Sequence, residues 1–252
     1  MCDAVQQNMS RQKLKRFADN HLATNVIQPE KQEFDQMIGR WNSHFFQNTQ
    51  PIVVELACGR GEYAVGLAKV FPEHNFVGVD IKGNRIWVGS RQAQEANLKN
   101  VGFLRTRIQN LEHFFAPQEI AEIWITFPDP RPKGRDEKRR LTNPRFLAMY
   151  QKLVAKDGWV HLKTDNQGLF EYTLEVLQQM PIRDLAVTHD LYASPFANDH
   201  KGIKTKFEQI YLDLGQVIYY LKFRFTDTPI VLDTDFLPFD EIPDNDEGHD
   251  DN

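Results

Sequence analysis

Residues 124–146 read WITFPDPRPKGRDEKRRLTNPRF and place an apolar segment, a proline-rich loop and a cluster of cations side by side. The apolar run Ile123–Phe127 predicts a buried strand that ends at Pro128. Because proline fixes its own φ and favours an extended residue before it, Asp129 should lie on a stiff, extended loop. Open α/β sheets bind ligands at such strand ends, so this loop is a candidate active site.

The segment that follows Asp129 is strongly basic. Between Arg131 and Arg145 there are seven Lys or Arg residues against Asp136 and Glu137, a local net charge of +5. A rigid carboxylate beside a cationic surface predicts an active site for a polyanionic substrate. A stiff loop followed by a solvated charge run would show the same pattern without any activity, and it remains the alternative.

Outside this stretch the chain alternates between strand-like and helix-like patterns. The predicted strands are a segment that runs from Pro51 into a glycine turn, Asn75–Asp80, Val101–Thr106, Ile120–Phe127 and Gly158–Thr164. The predicted helices are Tyr63–Phe71, Ile86–Leu98, Phe146–Leu153 and Leu169–Leu177. This alternation predicts a doubly wound α/β sheet that is mostly parallel and has helices on both faces.

Beyond Pro181 the alternation stops. The runs Ile182–Leu191 and Glu208–Phe225 mix apolar and polar residues, and no helical pattern lies between them. We therefore expect an antiparallel pair of strands at one edge of the sheet.

The two ends of the chain differ in composition from residues 51–226, which we expect to form one domain. Residues 1–50 contain the basic segment Ser10–Arg16, which predicts a flexible arm, and an amphipathic segment, which predicts a helix on the domain edge. The apolar residues of the amphipathic segment are Phe34, Met37, Ile38, Trp41 and Phe45. Residues 227–252 hold ten Asp or Glu and no Lys or Arg, which predicts a disordered tail and leaves residues 1–226 with a charge of +5.

Composition also excludes some classes of protein. No apolar run approaches the ~20 residues that span a bilayer, and the polar N-terminus is not typical of a signal peptide. Cys2, Cys58 and eight scattered histidines show no disulfide framework and no metal-ligand spacing. We expect a cytoplasmic protein that uses no metal.

A second candidate site follows the strand that begins at Pro51. Residues 59–64, Gly-Arg-Gly-Glu-Tyr-Ala, fit a G-x-G-x-x-[GA] loop, and Asp80 ends the next strand. Glycines let a ligand approach the backbone, and the second carboxylate suits ribose hydroxyls, so a nicotinamide dinucleotide would also fit. Glu55 lies inside the strand, where a dinucleotide fold has an apolar residue, and favours a ligand with a cationic amino-acid end. The alternative for Glu55 is a buried acid that accepts loop N–H groups.

Four segments together resemble the bacterial tRNA (guanine-N7)-methyltransferases, over about residues 35 to 225. They are Glu55–Gly61 (ELACGRG), Phe127–Lys133 (FPDPRPK), Lys138–Leu141 (KRRL) and Thr205–Glu208 (TKFE). The resemblance implies a Rossmann-like class I methyltransferase fold with an antiparallel edge strand and S-adenosylmethionine as cofactor. It also implies methylation of guanine 46 in the variable region of tRNA. The sequence leaves open whether the protein is a monomer or a homodimer.

The resemblance also implies roles for individual residues. It implies that Asp129 is the catalytic or substrate-orienting acid and also borders the cofactor. The implied cofactor-binding residues are Glu55, Gly59, Gly61, Asp80, Arg107 and Ile108. The implied substrate-binding residues are Lys133, Asp165, Thr205, Lys206, Phe207 and Glu208.

Two positions depart from the family pattern. Arg107 stands where the family usually has Asp, so the adenine contact passes to the backbone, to Gln109 or to Asn110. Arg131 stands where the family has Trp, and a guanidinium can also stack on a base.

The expected chemistry needs little from the protein beyond alignment. Guanine N7 carries an exposed lone pair, so no proton has to be removed before it attacks a methyl group. Asp129 could hold the N–H edge of the base and oppose the new positive charge, while Lys133 and the cations from Arg135 to Arg140 bind phosphates. Asp165 faces the same crevice as a strand-end residue, or else it caps the next helix. A nicotinamide oxidoreductase and a non-catalytic RNA-binding module are the rival functions.

Overall fold

The computed structural model describes residues 13–232. Residues 13–22 of that range are helical and form α1, so this part of the predicted flexible arm is ordered as a helix. The predictions for residues 10–12 and for the acidic tail from residue 233 onward lie outside the described residues. Residues 227–232 are described, and there Ile230 packs against the core while its N–H donates to Gln151 Oε1 at 2.8 Å.

One sheet of eight strands organises the described part of the chain. The strands are β1 (Val26–Ile27), β2 (Ile52–Leu56), β3 (Asn75–Asp80), β4 (Val101–Arg105), β5 (Ile120–Thr126), β6 (Val154–Thr164), β7 (Ile182–Thr188) and β8 (Tyr219–Phe225). Their order across the sheet is β1-β4-β3-β2-β5-β6-β8-β7. Strands β1 to β6 pair in parallel, and β8 runs antiparallel to both β6 and β7. The predicted α/β class, the five parallel strands and the antiparallel edge pair are confirmed.

The helices pack on both faces of the sheet. Besides α1, they are α2 (Glu62–Val70), α3 (Gly83–Glu95), α4 (Pro144–Leu153), α5 (Gln167–Leu177) and α6 (Lys206–Asp213). The side chains of each strand alternate between two clusters: Val54, Ile123 and Leu162 face one, while Val53, Trp124 and Tyr220 face the other. Because both faces are apolar and covered, the parallel strands are buried almost throughout.

The helix α6 corrects the strand prediction for Glu208–Phe225. Its first turn carries a capping box in which the Thr205 side chain and the Glu208 side chain each accept an N–H of the other residue. This local signal begins a helix, and the chain turns at Gly215, whose φ is +73°, before β8 starts. The mixed apolar and polar run Glu208–Phe225 therefore contains most of a helix and a whole strand, which its alternation alone does not distinguish.

The edge segment of residues 34–46 is also different from its prediction. Instead of one amphipathic helix it forms a 3-10 turn, Phe34–Gln36, and a π-helical turn, Trp41–Phe46. Gly39, with φ +68°, separates them. Met37 and Trp41 are fully buried in the core, whereas Ile38 is 49% exposed. Tertiary burial of Trp41, whose Nε1 donates to the Phe114 carbonyl at 2.9 Å, overrides helical periodicity here.

Candidate active site

The glycine turn lies between β2 and α2, where the strand order reverses. Gly59 and Gly61 have φ values of +54° and +66°, which other residues adopt at a cost. A Cβ on Gly61 would lie 2.3 Å from the Phe103 ring, so this glycine allows close packing inside the protein. A Cβ on Gly59 would meet no atom of the described residues within 4 Å. The space beside Gly59 is therefore open to a ligand.

Asp80 ends β3 next to this turn. Its Oδ2 accepts the Gly59 N–H at 2.8 Å and its Oδ1 accepts the Lys82 N–H at 2.7 Å. The carboxylate is mostly buried, yet each of its oxygens keeps a further lone pair. It can therefore hold the glycine turn and accept hydrogen bonds from a ligand's hydroxyl groups at the same time.

Glu55 lies within β2 and is 3% exposed. The Ala64 N–H donates to Glu55 Oε2 at 2.9 Å, and the Thr126 hydroxyl donates to Oε1 at 2.7 Å. Burial raises the pKa of Glu55 to about 7, although these two hydrogen bonds oppose the increase. An ionised carboxylate here therefore gains strongly from a cationic ligand that enters the site.

Asp129 follows β5, the strand beside β2 in the sheet, and its side chain is 60% exposed. The loop is not uniformly extended as predicted, because Phe127 and Arg131, each before a proline, have φ values of +49° and +46°. The Phe127 N–H continues the sheet ladder by donating to the Lys163 carbonyl at 2.8 Å. Arg131 then turns back so that its N–H and its Nε each lie 3.1 Å from a carboxylate oxygen of Asp129.

The basic run after Asp129 divides into two groups. Lys133, Arg135 and Lys138 are exposed to solvent. Arg139 lies 3.7 Å from Asp136, and Arg140 donates two hydrogen bonds to the Arg131 carbonyl. Only part of the run therefore forms an exposed cationic surface.

Arg107 and Ile108 follow β4, on the other side of β3 from the glycine turn. Arg107 is exposed and extended, and it precedes the 3-10 turn Ile108–His113. Ile108 packs against the core, and the Asn110 N–H donates to the Arg107 carbonyl at 2.9 Å. The structure thus places these residues at the same edge of the sheet as Asp80.

Asp165 lies directly after β6. It is half-buried, and burial raises the pKa of its carboxyl. The cap of α5 is its neighbour Asn166, whose Oδ1 accepts the Leu169 N–H at 2.8 Å. Helix capping therefore does not account for Asp165.

The segment Thr205–Glu208 forms the first turn of α6. Thr205 is the N-cap, and Lys206 and Phe207 are exposed. Glu208 is fully buried, and its carboxylate lies 2.8 and 3.0 Å from Lys163 Nζ and accepts the Tyr192 hydroxyl at 2.7 Å. Burial lowers the pKa of Lys163, and the Glu208 carboxylate opposes that change.

Two further contacts bring α6 to the other site loops. The Lys206 N–H donates to Glu62 Oε2, in the first turn of α2, at 2.7 Å. The Phe207 ring lies 5.5 Å from the Phe127 ring, between centroids, and Phe127 precedes the loop of Asp129. The start of α6 is therefore in contact with both the glycine-turn helix and the candidate catalytic loop.

Sequence reasoning missed several residues that shape this site. Thr126 binds Glu55, Lys163 and Tyr192 bind Glu208, and Arg140 binds the loop of Asp129. The sequence does contain a signal for Lys163. A lysine inside an otherwise apolar strand needs a buried acidic partner, so its position predicts a buried ion pair. Which residue provides that partner depends on the tertiary fold.

Within residues 13–232, no cluster of three or more His, Cys, Asp or Glu side chains is placed to hold a metal ion. The helices of the same range include none that is long and apolar enough to cross a membrane.

The fold of this chain is shared with solved methyltransferases. The crystal structure of the 16S rRNA methyltransferase KamB superposes with a TM-score of 0.59 at 11% identity, over 80% of this chain and 99% of that one. Together with the strand order, this places the fold among the class I methyltransferases. A family described as "Putative methyltransferase" matches residues 49–221.

Full-length relatives identify the family within that class. The tRNA (guanine-N(7)-)-methyltransferase of Cytophaga hutchinsonii is 49% identical over 219 residues, 86% of this chain and 99% of the relative. That of Bacteroides thetaiotaomicron is 43% identical, over 90% of this chain and 91% of the relative. The chain belongs to the tRNA (guanine-N7)-methyltransferase family.

Proposed function

We propose that this protein transfers a methyl group from S-adenosylmethionine to N7 of guanine 46 in the variable region of tRNA. The observation that carries the proposal is a juxtaposition at one edge of the sheet. The adjacent strands β3, β2 and β5 end at Asp80, near Glu55 and before Asp129, and the exposed cations Lys133, Arg135 and Lys138 follow. A carboxylate-lined cofactor site thus adjoins a cationic surface suited to RNA.

The residues of the glycine turn fit the proposed cofactor. Glu55 suits its ammonium group, Asp80 suits the two ribose hydroxyls, and the open side of Gly59 admits the ligand. Arg107 and Ile108, after β4, would flank the adenine. S-adenosylmethionine supplies the transferable methyl group when it is bound.

Asp129 is the proposed catalytic residue. Guanine N7 is nucleophilic when neutral, so the protein has to orient the base and stabilise the charge that appears on it. The exposed Asp129 carboxylate can accept hydrogen bonds from the N–H edge of guanine and oppose that positive charge. Its present partner Arg131 is itself a donor that a base or phosphate could engage.

The proposed tRNA contacts lie around this carboxylate. Lys133 and Lys206 would bind phosphates, and Phe207, which is 44% exposed, offers a ring for stacking. Asp165 would accept donors of the nucleotide at the end of β6. Thr205 and Glu208 complete the segment, and Glu208 would act from its buried position by fixing the first turn of α6.

The remaining elements of the proposal concern the whole chain. We assign residues 51–226 to the methyltransferase domain, residues 1–50 to a basic arm with an edge segment, and residues 227–252 to an acidic tail. The protein would work in the cytoplasm as a monomer or homodimer. Light scattering of the purified full chain with and without tRNA would decide between the two states.

Transfer of tritiated methyl groups to bulk tRNA tests the activity, and nucleoside analysis should find the label in N7-methylguanine. Asp129→Asn should fold and bind the cofactor with little change, yet lose most of the transfer, because the amide cannot oppose the positive charge. Reduction of NAD, or tRNA binding without transfer by the wild type, would contradict the proposal. Wild-type turnover by Asp129→Asn would contradict the role of that residue.

A further inference from the structure

Arg140 differs from the exposed cations of the basic run in the direction of its side chain. Its Nε and Nη2 both donate to the Arg131 carbonyl oxygen, at 3.2 and 3.1 Å. Its Cζ atom lies 4.2 Å from the centroid of the Tyr172 ring, on α5. The guanidinium is therefore held between a loop carbonyl and an aromatic face, an arrangement that a lysine cannot reproduce.

The carbonyl that Arg140 binds belongs to the residue that holds Asp129. Arg131 has a φ of +46°, which is unfavourable for a residue with a side chain, and this conformation directs its N–H and its Nε to the Asp129 carboxylate. A strained conformation persists only where its surroundings stabilise it. The two hydrogen bonds from Arg140 provide such stabilisation at the peptide that follows.

The partner ring is itself fixed. The Tyr172 hydroxyl accepts the Asn143 Nδ2–H at 3.2 Å, and Asn143 caps α4. Burial raises the pKa of Tyr172 to about 12, so the ring stays neutral at physiological pH. The contacts therefore connect the loop of Asp129 to two helices that pack on the sheet.

We propose that Arg140 is a positioning residue for methyl transfer, which anchors the Asp129 loop through the Arg131 carbonyl rather than binding a tRNA phosphate. The inference rests on the proposed function, because it assigns Asp129 to the reaction. Within the basic run, the exposed cations Lys133, Arg135 and Lys138 would then bind RNA, whereas Arg140 orients the catalytic carboxylate.

Arg140→Lys provides the sharpest test, since it keeps the charge and removes both the paired hydrogen bonds and the ring stacking. We expect kcat for tRNA methylation to fall about 10- to 100-fold, as small misplacements of a catalytic group do. The KM for tRNA and the salt dependence of tRNA binding should match those of the wild type. Arg140→Ala should lose at least as much kcat and change the log–log salt slope by less than the ~0.9 of one phosphate contact.

Arg224→Lys is a matched control, because Arg224 is also stacked on a ring, 4.0 Å from the centroid of Trp159. It lies in β8 beside the first half of β6, away from the strand ends that form the site. Its kcat should equal that of the wild type. Thermal unfolding of every variant shows that the compared proteins are folded.

Amide hydrogen exchange of the free enzyme gives a second measurement that needs no activity. The Arg131 N–H should exchange faster in Arg140→Lys than in the wild type and be unchanged in Arg224→Lys. Wild-type kcat in Arg140→Lys, or a shallower salt slope with unchanged kcat in Arg140→Ala, would overturn the proposal. If the wild type itself methylates no tRNA, the proposed function fails, while the exchange rates still show whether Arg140 anchors the loop.

Discussion

Glu55 is a buried acid within strand β2, and its ionisation opposes folding. Its carboxyl is almost inaccessible to water, and desolvation raises its pKa to about 7 despite hydrogen bonds from Ala64 and Thr126. An unfolded chain would ionise this acid near its ordinary pKa of 4.5. The protonated form is therefore favoured by folding, and the stability that it contributes is fully present below pH 4.5 and lost as the pH rises through 7.

Glu55→Gln should remove this cost without removing the hydrogen bonds. The amide oxygen can accept the Ala64 N–H while the amide nitrogen donates to the Thr126 hydroxyl. At pH 8 the cofactor-free variant should be more stable than the wild type by up to about 3 kcal/mol, and the difference should vanish near pH 4.5. Urea unfolding at both pH values measures it, and a difference that does not change with pH would contradict the argument.

The same substitution should weaken cofactor binding. A neutral amide offers a cationic ammonium group no charge pairing, so calorimetry should show a lower affinity for S-adenosylmethionine in Glu55→Gln. Wild-type affinity should increase as the pH rises through 7, whereas that of the variant should stay flat. Asp80→Asn is a control for the other end of the ligand: it should weaken binding at every pH and keep the increase through pH 7, because Glu55 is still present.

Among the described elements, helix α6 begins at a fully buried ion pair. Lys163, in β6, and Glu208, in the first turn of α6, are both fully buried and 2.8 Å apart. The Lys163 Nζ also lies 5.1 Å from the centroid of the Tyr63 ring, beneath the glycine-turn helix. A buried pair contributes little net stability, because desolvation offsets attraction, but removing one partner leaves an uncompensated charge. This geometry holds the start of α6 against the first turn of α2, beside the proposed cofactor site.

Lys163→Met should therefore destabilise the protein by about 3 to 5 kcal/mol, since it leaves the Glu208 carboxylate buried without a cation. Adding Glu208→Gln should recover most of that loss, because no charge then remains buried. Lys222→Met is a matched control, as its pair with Asp199 at 2.6 Å is partly exposed and should contribute about 1 kcal/mol or less. Urea unfolding compares the stability of the variants. If the single and double variants were equally stable, the unpaired Glu208 carboxylate would not be the cause of the destabilisation.

At the scale of the whole molecule, acidic and basic residues are concentrated in different parts of the chain. The full chain has a net charge of −5, yet exposed cations surround the loop of Asp129. The ten acidic residues after residue 226 account for the overall sign. The net charge of a chain is thus a poor guide to whether it binds RNA when its acidic residues are concentrated at one end.

A salt titration of tRNA binding should locate this surface. Replacing Lys133, Arg135 and Lys138 with alanine should make the log–log slope shallower by about two to three units, at up to ~0.9 per phosphate. The double variant Arg183→Ala with Arg224→Ala is the control. Both residues lie near the start of β7 and the end of β8, which is the edge of the sheet opposite the candidate site, so the slope should not change. An unchanged slope in the triple variant would mean that tRNA contacts another surface.

The sequence by itself determined the parallel sheet, the glycine turn and the approximate positions of Glu55, Asp80 and Asp129. These features are local: strand and helix periods, turn residues and strand ends can be read within about ten residues of chain. The tertiary structure alone decided that Trp41 begins a π-helical turn instead of continuing an edge helix, that Glu208 is buried on Lys163, and that Arg140 points inward at Arg131 while Arg135 stays exposed. The physical reason is that a charged side chain's environment is set by partners that only folding brings together, as with Lys163 and Glu208, 45 residues apart.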